Sequence, residues 1–456
     1  MSRRVIIIGA SIAGMLAAKA MSDFFDEVWL LERDVLSDQP ETRSGTAQAH
    51  HAHILLNRGL LEMEQIFPGL RQQLLAAGAI VTHATQDWYS LFPMGPLPNF
   101  DSDLTFLCAS RPLIEQSMRT ALLTACTNVR IHQHTKVLEV VLSSNNAPSV
   151  RVQTSPTTVN KWHADFVIDA SGRNSHSPTW LRQAGFSEVE QIHIRPYLGY
   201  ATRIYRGVTM PSPLRAAVVM AKDPDMKRGG VLFPIEGNRY ICTLYGFNQD
   251  YPGIVDADFM KFAKSLRSDI IYQAIHQAIP ESNAKAFIKK DSRYYLYAKQ
   301  GDWPQGYLVI GDAVCSFNPI YGQGMTAAAM AAANLVQQLK KSHPLRAGFS
   351  RKTQRHIVRA YRAPWHISTN EDLRWPGTDG NGKSRGIGLR TLHKFSDRIA
   401  AAATHDHQLA YRYIKVLHMT ATPLSLLSLK SLVSILKSMY VKSPQCLVEK
   451  TTEKIS

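Results

Sequence analysis

The first fourteen residues constrain the fold more tightly than any other stretch. Val5-Ile6-Ile7-Ile8 is a short β-branched run of the kind that forms a central parallel strand. Gly9-Ala10-Ser11-Ile12-Ala13-Gly14 follows it, Ile12 to Met21 continues as an Ala-rich helix, and Val28 to Glu32 forms the next strand. Strand, glycine turn, helix and a second strand ending in an acid make up the context of a dinucleotide site. Gly9 permits the tight turn, Gly14 lets the helix approach the strand, and the helix start directs free N–H groups at a pyrophosphate. Ser11 replaces the middle glycine of the fingerprint with a side chain small enough to admit a phosphate. Ile12, Ala13 and Arg33 are expected beside it, with Glu32 accepting hydrogen bonds from an adenosine ribose. Taken alone, this segment does not separate FAD from NAD(P), or either from a plain βαβ turn.

Further on, Thr42 to His53 reads as a polar loop, and Leu55 to Phe67 and Arg111 to Ala125 as helices. Val129 to Ile131, Val137 to Leu142, Val150 to Val152 and Phe166 to Ile168 read as strands returning to the first domain. The Pro- and aromatic-rich stretch Trp88 to Leu107 starts a second sheet. Tyr200 to Tyr205, Ala216 to Ala221, Gly230 to Pro234 and Tyr240 to Tyr245 continue it, with turns at Pro211, Pro213, Gly229 and Gly237-Asn238. That spacing predicts a mostly antiparallel sheet. Leu308 to Ile310 is a last core strand, followed by the Ala-rich helix Thr326 to Leu339; beyond Lys340 the chain is helical, interrupted by a loop from Pro376 to Gly388.

A chain of 456 residues exceeds one compact core, so two packed domains and a C-terminal extension are expected. No block of about twenty apolar residues is present, which leaves a soluble or membrane-peripheral protein. The basic start Met1 to Arg4 precedes an apolar run too short for a signal peptide. Cys108, Cys126, Cys242, Cys315 and Cys446 are odd in number and lack metal-ligand spacing, which indicates neither a disulfide framework nor a zinc site and fits a reducing cytoplasm. The net charge of +16 suggests nucleic acid until it is located: 21 Lys/Arg against 7 Asp/Glu from Lys340 onward carry +14 of it. Such helices can bind nucleic acid or anionic lipid, or simply present a solvated charged face; no nucleic-acid partner is expected.

Two later segments narrow the cofactor. Gly311-Asp312-Ala313 follows a strand, and Pro319-Ile320-Tyr321-Gly322-Gln323-Gly324-Met325 leads into a helix. Together they resemble the signature of group A FAD-dependent monooxygenases, the family of para-hydroxybenzoate hydroxylase and squalene epoxidase. The resemblance implies that Asp312 binds the ribityl chain and that the backbone after Pro319, through Gly322, Gly324 and Met325, faces the pyrimidine end of the flavin. There N–H groups at a helix start stabilise the negative charge of the reduced ring. Asp169-Ala170-Ser171-Gly172-Arg173 resembles the family's third motif, which touches FAD and the passing NAD(P)H, although the family pattern begins Asp-Gly. Arg111 matches the family arginine near the flavin phosphate or ribityl region, and Val137 is assigned to the same site.

The implied fold is α/β: a Rossmann-like FAD-binding domain with a parallel sheet, interleaved with a mostly antiparallel substrate domain and followed by a helical C-terminal extension. The expected boundaries are residues 1–86, 108–190 and 295–345 for the first, 87–107 and 191–294 for the second, and 346–456 for the extension. Arg43-Ser44-Gly45-Thr46-Ala47-Gln48-Ala49-His50-His51-Ala52-His53-Ile54-Leu55-Leu56 further resembles a loop of bacterial flavin epoxidases that act on polyenes. Leu198 to Arg203, Arg228 to Pro234 and Glu371-Asp372-Leu373-Arg374-Trp375-Pro376 extend that likeness. It implies that Arg43, Gln48, His51 and His53 lie near the flavin. A metal reading of the histidines finds no carboxylate or cysteine at ligand spacing, so no metal is expected.

In such enzymes NAD(P)H, a transient co-substrate, reduces FAD, and O2 adds at C4a to give a hydroperoxide that oxygenates an apolar substrate. Epoxidation of an alkene in secondary metabolism leads; aromatic or indole hydroxylation, prenyl reduction and halogenation are the alternatives. None of the seven tryptophans has the Trp-x-Trp-x-Ile-Pro spacing of tryptophan halogenases. Strands around residues 88–107 and 197–247 are expected to wall the substrate pocket. The stretch 424–441 sets Ser425, Ser428, Ser431 and Ser434 opposite leucines, as in a helix docked on the core or resting on a membrane. The protein is expected as a monomer or homodimer.

Overall fold

The computed structural model describes residues 2–144, 146–382 and 386–440; Cys446 and the end of the 424–441 stretch lie outside it. Five parallel strands form the central sheet, in the order Tyr307–Val309, Phe166–Asp169, Arg4–Ile8, Glu27–Leu31 and Val129–His132. Its inner strands are continuous apolar runs because both faces are covered: Val5, Ile6, Ile7, Phe166, Val167 and Ile168 are fully buried. Helices Ile12–Met21 and Gly324–Leu339 pack on each other through buried alanines, which let their axes approach closely. Gly9, Glu32, Ala170 and Gly311 all follow carboxyl ends of strands, where open α/β sheets hold their ligands.

The second sheet has eight strands. Its path runs Ile279–Pro280, Leu198–Arg206, Arg239–Gly246, Arg228–Ile235, Ala216–Val219, Trp88–Phe92 and Gly95–Pro96, with Lys285–Lys289 also pairing Leu198–Arg206. It is antiparallel except where Trp88–Phe92 runs parallel to Ala216–Val219. One sequence expectation changes, that for Thr105–Cys108. Lys136–Val141 and Ser149–Gln153 form a separate antiparallel sheet with Val159–His163. One face of that sheet packs Val140, Val150 and Val152 against the first core while the other faces solvent, so its alternation is that of a one-sided sheet. Thr105–Cys108 pairs with Ile80–His83 rather than with the large sheet.

The basic C-terminal region forms helices Phe349–Arg359, Arg362–Asp372, Ile387–Ala403, His407–Leu417 and Leu429–Tyr440. Ile399, Leu409, Ile414 and Leu426 share one apolar cluster with Trp88, Phe106, Phe233 and Ile241 of the sheets. The 424–441 stretch is broken at Ser428 between a 3-10 turn, Pro423–Leu427, and the last helix. Ser428 and Ser431 of this stretch face the neighbouring helix, where Arg412 donates to Ser428 Oγ and, at 2.9 Å, to Ser431 Oγ, while Leu426 and Ile435 enter the apolar cluster. Leu424 and Val433 are left outside, with exposures of 74% and 50%. Among the described residues no helix is long and apolar enough to cross a membrane.

Candidate functional site

A cavity of about 430 Å³ runs along the carboxyl ends of the parallel strands. Gly9, Ser11, Ile12, Ala13, Glu32, Arg33, Arg43, Arg111 and Val137 line one end, and Gly311, Asp312, Pro319, Gly322, Gly324 and Met325 the other, with Gln48 and His53 also on its wall. Gly9 has φ +101°, and a Cβ there would sit 2.6 Å from the Ala170 carbonyl oxygen. Gly14 does not line the cavity; a Cβ on it would lie 1.9 Å from the Gly9 carbonyl, so its work is the close crossing of helix and turn. Ser11 caps the helix by position alone: its hydroxyl makes no cap bond and donates instead to Glu115 Oε1 at 2.7 Å. The first N–H groups of the helix therefore remain available to a phosphate.

A buried charge network closes this end. Glu32 Oε2 accepts from Ala10 N at 3.1 Å and pairs with Arg43 Nη1 at 2.6 Å; Arg43 Nη2 reaches Glu115 Oε2 at 3.2 Å. Arg111 Nε pairs with Glu115 Oε1 at 2.9 Å and its Nη2 donates to Ser11 Oγ at 3.1 Å. Burial alone would raise the Glu115 carboxyl, but Arg111 and Arg43 outweigh it and hold the group below the usual carboxylate range. Glu115 belongs to none of the sequence motifs; its position one helical turn after Arg111 is the available signal. Arg43 thus sits at the Glu32 end of the cavity.

Three predicted residues are not brought to the cavity wall. Gly14 is one. Asp169 is the second: its carboxylate is fully buried and accepts from Ser171 N at 2.9 Å, Ser175 Oγ at 2.5 Å and Ser177 Oγ. It braces the turn, whose residues Ala170 to Asn174 do face the cavity. His51 is the third. Its Nδ1 is 2.8 Å from Thr202 Oγ1 and its ring meets Tyr200 edge-on at 4.5 Å, so it anchors the loop to the large sheet. His53 lines the cavity, with Nδ1 2.8 Å from the His51 carbonyl. Burial pushes both imidazoles down to about 3 and keeps them neutral, with His53 acting on His51 and Arg111 on His53.

At the far end Gly311 has φ +73°, its N–H donates to Tyr361 Oη at 2.7 Å, and a Cβ there would press on Ala13 Cβ at 2.7 Å. The two glycine motifs, remote in sequence, are in contact. Helix Gly324–Leu339 starts without a side-chain cap, and the Oε1 of Gln323 at its start is buried without a hydrogen-bond partner. Uncapped helix starts at both ends of one cavity, glycines that let its turns pack closely and Asp312 on its wall fit a dinucleotide carrying a ring that becomes anionic on reduction. Among the described residues no group of three His, Cys, Asp or Glu side chains stands close enough to hold a metal. No residue of 88–107 or 197–247, the strands expected around the substrate, lines this cofactor cavity, whose apolar side includes Ile54, Phe287 and Phe317. Strand Lys285–Lys289, which carries Phe287, escaped the sequence reading because lysines occupy both of its ends.

Residues 2–348 match the FAD-binding domain family. Protein Rv3254 of Mycobacterium tuberculosis (strain ATCC 25618 / H37Rv) is 28% identical over 386 residues, covering 81% of this chain and 80% of that protein. In fold the chain is similar to the flavin-dependent brominase Bmp2, with a TM-score of 0.64 at 14% identity over 95% of this chain and 97% of that one. It is likewise similar to p-nitrophenol 4-monooxygenase PnpA from Pseudomonas putida DLL-E4, with a TM-score of 0.63 at 14% identity over 91% and 98%. With the family match spanning the parallel strands, both glycine motifs and the cavity between them, the chain belongs to the FAD-binding domain family, and FAD is its cofactor.

Proposed function

We propose that the protein is an NAD(P)H- and O2-dependent FAD monooxygenase that epoxidises an apolar alkene. The observation that carries this reading is the distribution of chemistry along the cavity. Glu32, Arg33, Arg43 and Arg111 gather where a ribose and pyrophosphate would lie, Asp312 and Arg173 stand further along, and Ile54, Phe287 and Phe317 border the cavity; among the described residues lining it no side-chain nucleophile and base are in hydrogen-bond contact. Bound FAD supplies the electron transfer and the activation of O2. The chain's own contribution is to bind and to exclude water. Gly9, Ser11 and the helix start hold the phosphates, Glu32 and Arg43 the ribose end, Asp312 the ribityl chain, and the Pro319–Gly324 backbone the pyrimidine edge. Neutral His53 and Gln48 offer hydrogen bonds beside the ring without adding charge.

The test has two parts. Asp312→Ala should purify without yellow colour, whereas full flavin occupancy in that variant sinks the site assignment. Incubating wild type with NAD(P)H, O2 and a panel of lipophilic alkenes should yield products heavier by about 16 mass units; a gain of about 2 means double-bond reduction instead. Halogenation is the second reading, favoured by the fold shared with a brominase, and it requires product formation to depend on bromide or chloride. The outward Leu424, Leu427 and Val433 beside Lys430 further support a peripheral contact with anionic lipid. Flotation with anionic liposomes tests it: equal recovery in the soluble fraction for wild type and a Leu424→Ser/Val433→Ser variant removes the idea.

A further inference from the structure

The segment Glu371 to Pro376 approaches the ring end of the cavity from behind, without lining it. Asp372, the last residue of helix Arg362–Asp372, is fully buried. Its Oδ1 accepts from Asn318 Nδ2 at 2.6 Å and from Tyr321 Oη at 3.3 Å, while its Oδ2 is buried without a hydrogen-bond partner. Asn318 Oδ1 accepts in turn from Ile320 N at 3.2 Å, so the carboxylate braces the turn that leads into Gly322 and Gly324. Lys289 stands behind the preceding residues. It is 2% exposed, and its Nζ donates to Ser316 Oγ at 2.8 Å, the same oxygen that accepts from Arg173 Nη1 at 2.9 Å. Among the described residues no carboxylate lies within ion-pair distance of Lys289.

Two ionisable groups thus sit out of water on either side of one cofactor-facing turn, each incompletely paired. Burial, joined by Arg173, pushes the Lys289 ammonium down to about 7 against the pull of Asp312, Asp291 and Asp372. Burial likewise pushes Asp372 up to about 7, opposed by Asn318, Tyr321 and Lys289. Among the other groups nearby, Asp312 lines the cavity itself, and those that follow are committed elsewhere or neutral. Arg173 pairs with Asp291, Glu371 pairs with Arg374 at 2.8 Å, and burial holds the Cys315 thiol and the Tyr321 phenol well above their ordinary ranges.

We propose that Lys289 and Asp372 are positioning residues that share one proton behind the Ser316–Tyr321 turn and take up a second when the bound cofactor is reduced. The inference rests on the flavin reading. In its electrically neutral state the pair carries one proton between two sites. Reduction of bound FAD by hydride from NAD(P)H, which would leave as NAD(P)+, would add one negative charge on the far side of the turn. The pair then binds a proton from solvent and becomes singly positive, which offsets that charge across a low-dielectric gap.

The experiment is a reductive titration of the purified holoprotein with redox dyes from about pH 6 to about pH 8, in which the slope of midpoint potential against pH gives protons taken up per two electrons. Wild type is expected to take up about two protons, and Lys289→Met and Asp372→Asn about one each, read on the FAD-bound fraction of each protein. Single-proton uptake in wild type, or two-proton uptake preserved in both variants, overturns the proposal. Should those variants fail to fold, Lys289→Arg decides, since it keeps a cation that does not release its proton; two protons retained there count against the pair. Wild-type protein that binds no FAD defeats the flavin reading instead, so the two failures are distinct.

Discussion

Glu115 stays ionised in a buried position because two guanidinium groups face it, and those groups are in turn held where a cofactor phosphate and ribose would lie. Removing the carboxylate strands two buried cations. Glu115→Ala is expected to lower folding stability by about 3 kcal/mol in urea melts and to reduce FAD retained on purification. Since the folded carboxyl titrates below its unfolded value, its contribution is complete above the unfolded pKa and is lost as pH falls through the folded one. The histidines act at higher pH. His51 and His53 are neutral when folded, with values of about 3, but bind protons in the unfolded chain near 6.5, so stability holds above that value and declines as pH falls toward 3. Thermal midpoints measured from about pH 8 to about pH 5 should fall for wild type and fall less for His51→Asn, an undiminished slope counting against a buried neutral His51.

Turns and helix starts are the elements that shape the cavity. Gly311 is the point at which the two glycine motifs meet, and its left-handed backbone and the 2.7 Å approach to Ala13 leave no room for a side chain. Gly311→Val should therefore yield folded protein with little bound FAD, read from circular dichroism and absorbance together; normal occupancy would show that the contact is dispensable. Helix Arg362–Asp372 is held in place by the residues just beyond its C-terminus. The Trp375 ring stacks on Phe247 at 4.3 Å and 15°, and Arg374 pairs with Asp397 at 3.0 Å. Trp375→Ala is expected to cost about 3 kcal/mol and to loosen FAD through Asp372 and Asn318, which a raised dissociation constant for FAD would reveal. A stability loss with unchanged FAD affinity would separate packing from cofactor binding.

Across the molecule as a whole, the C-terminal helices complete the core instead of trailing from it. Ile399, Leu409, Ile414 and Leu426 cover Trp88, Phe106 and Phe233, so a chain ending before Ile387 should be recovered largely as aggregate; a soluble, monomeric truncation would show that the sheets close without them. The features legible in the amino-acid order are those written in local chemistry. The β-branched run before Gly9, the glycines at both ends of the cavity, the acid closing the second strand and the Ala-rich helix after Gly324 each impose a backbone state or a close approach that few other residues allow. Other roles emerge only on folding. Asp169 looks like a ligand contact until three donors from its own turn are seen around it, and His51 looks like a neighbour of the flavin until Thr202 and Tyr200 enclose it. Glu115, Lys289 and Asp372 are ordinary charged residues in the chain, and their roles come from partners remote in sequence and from the removal of water around them. Local geometry is encoded by neighbours, whereas burial and charge pairing exist only once distant segments have been packed together.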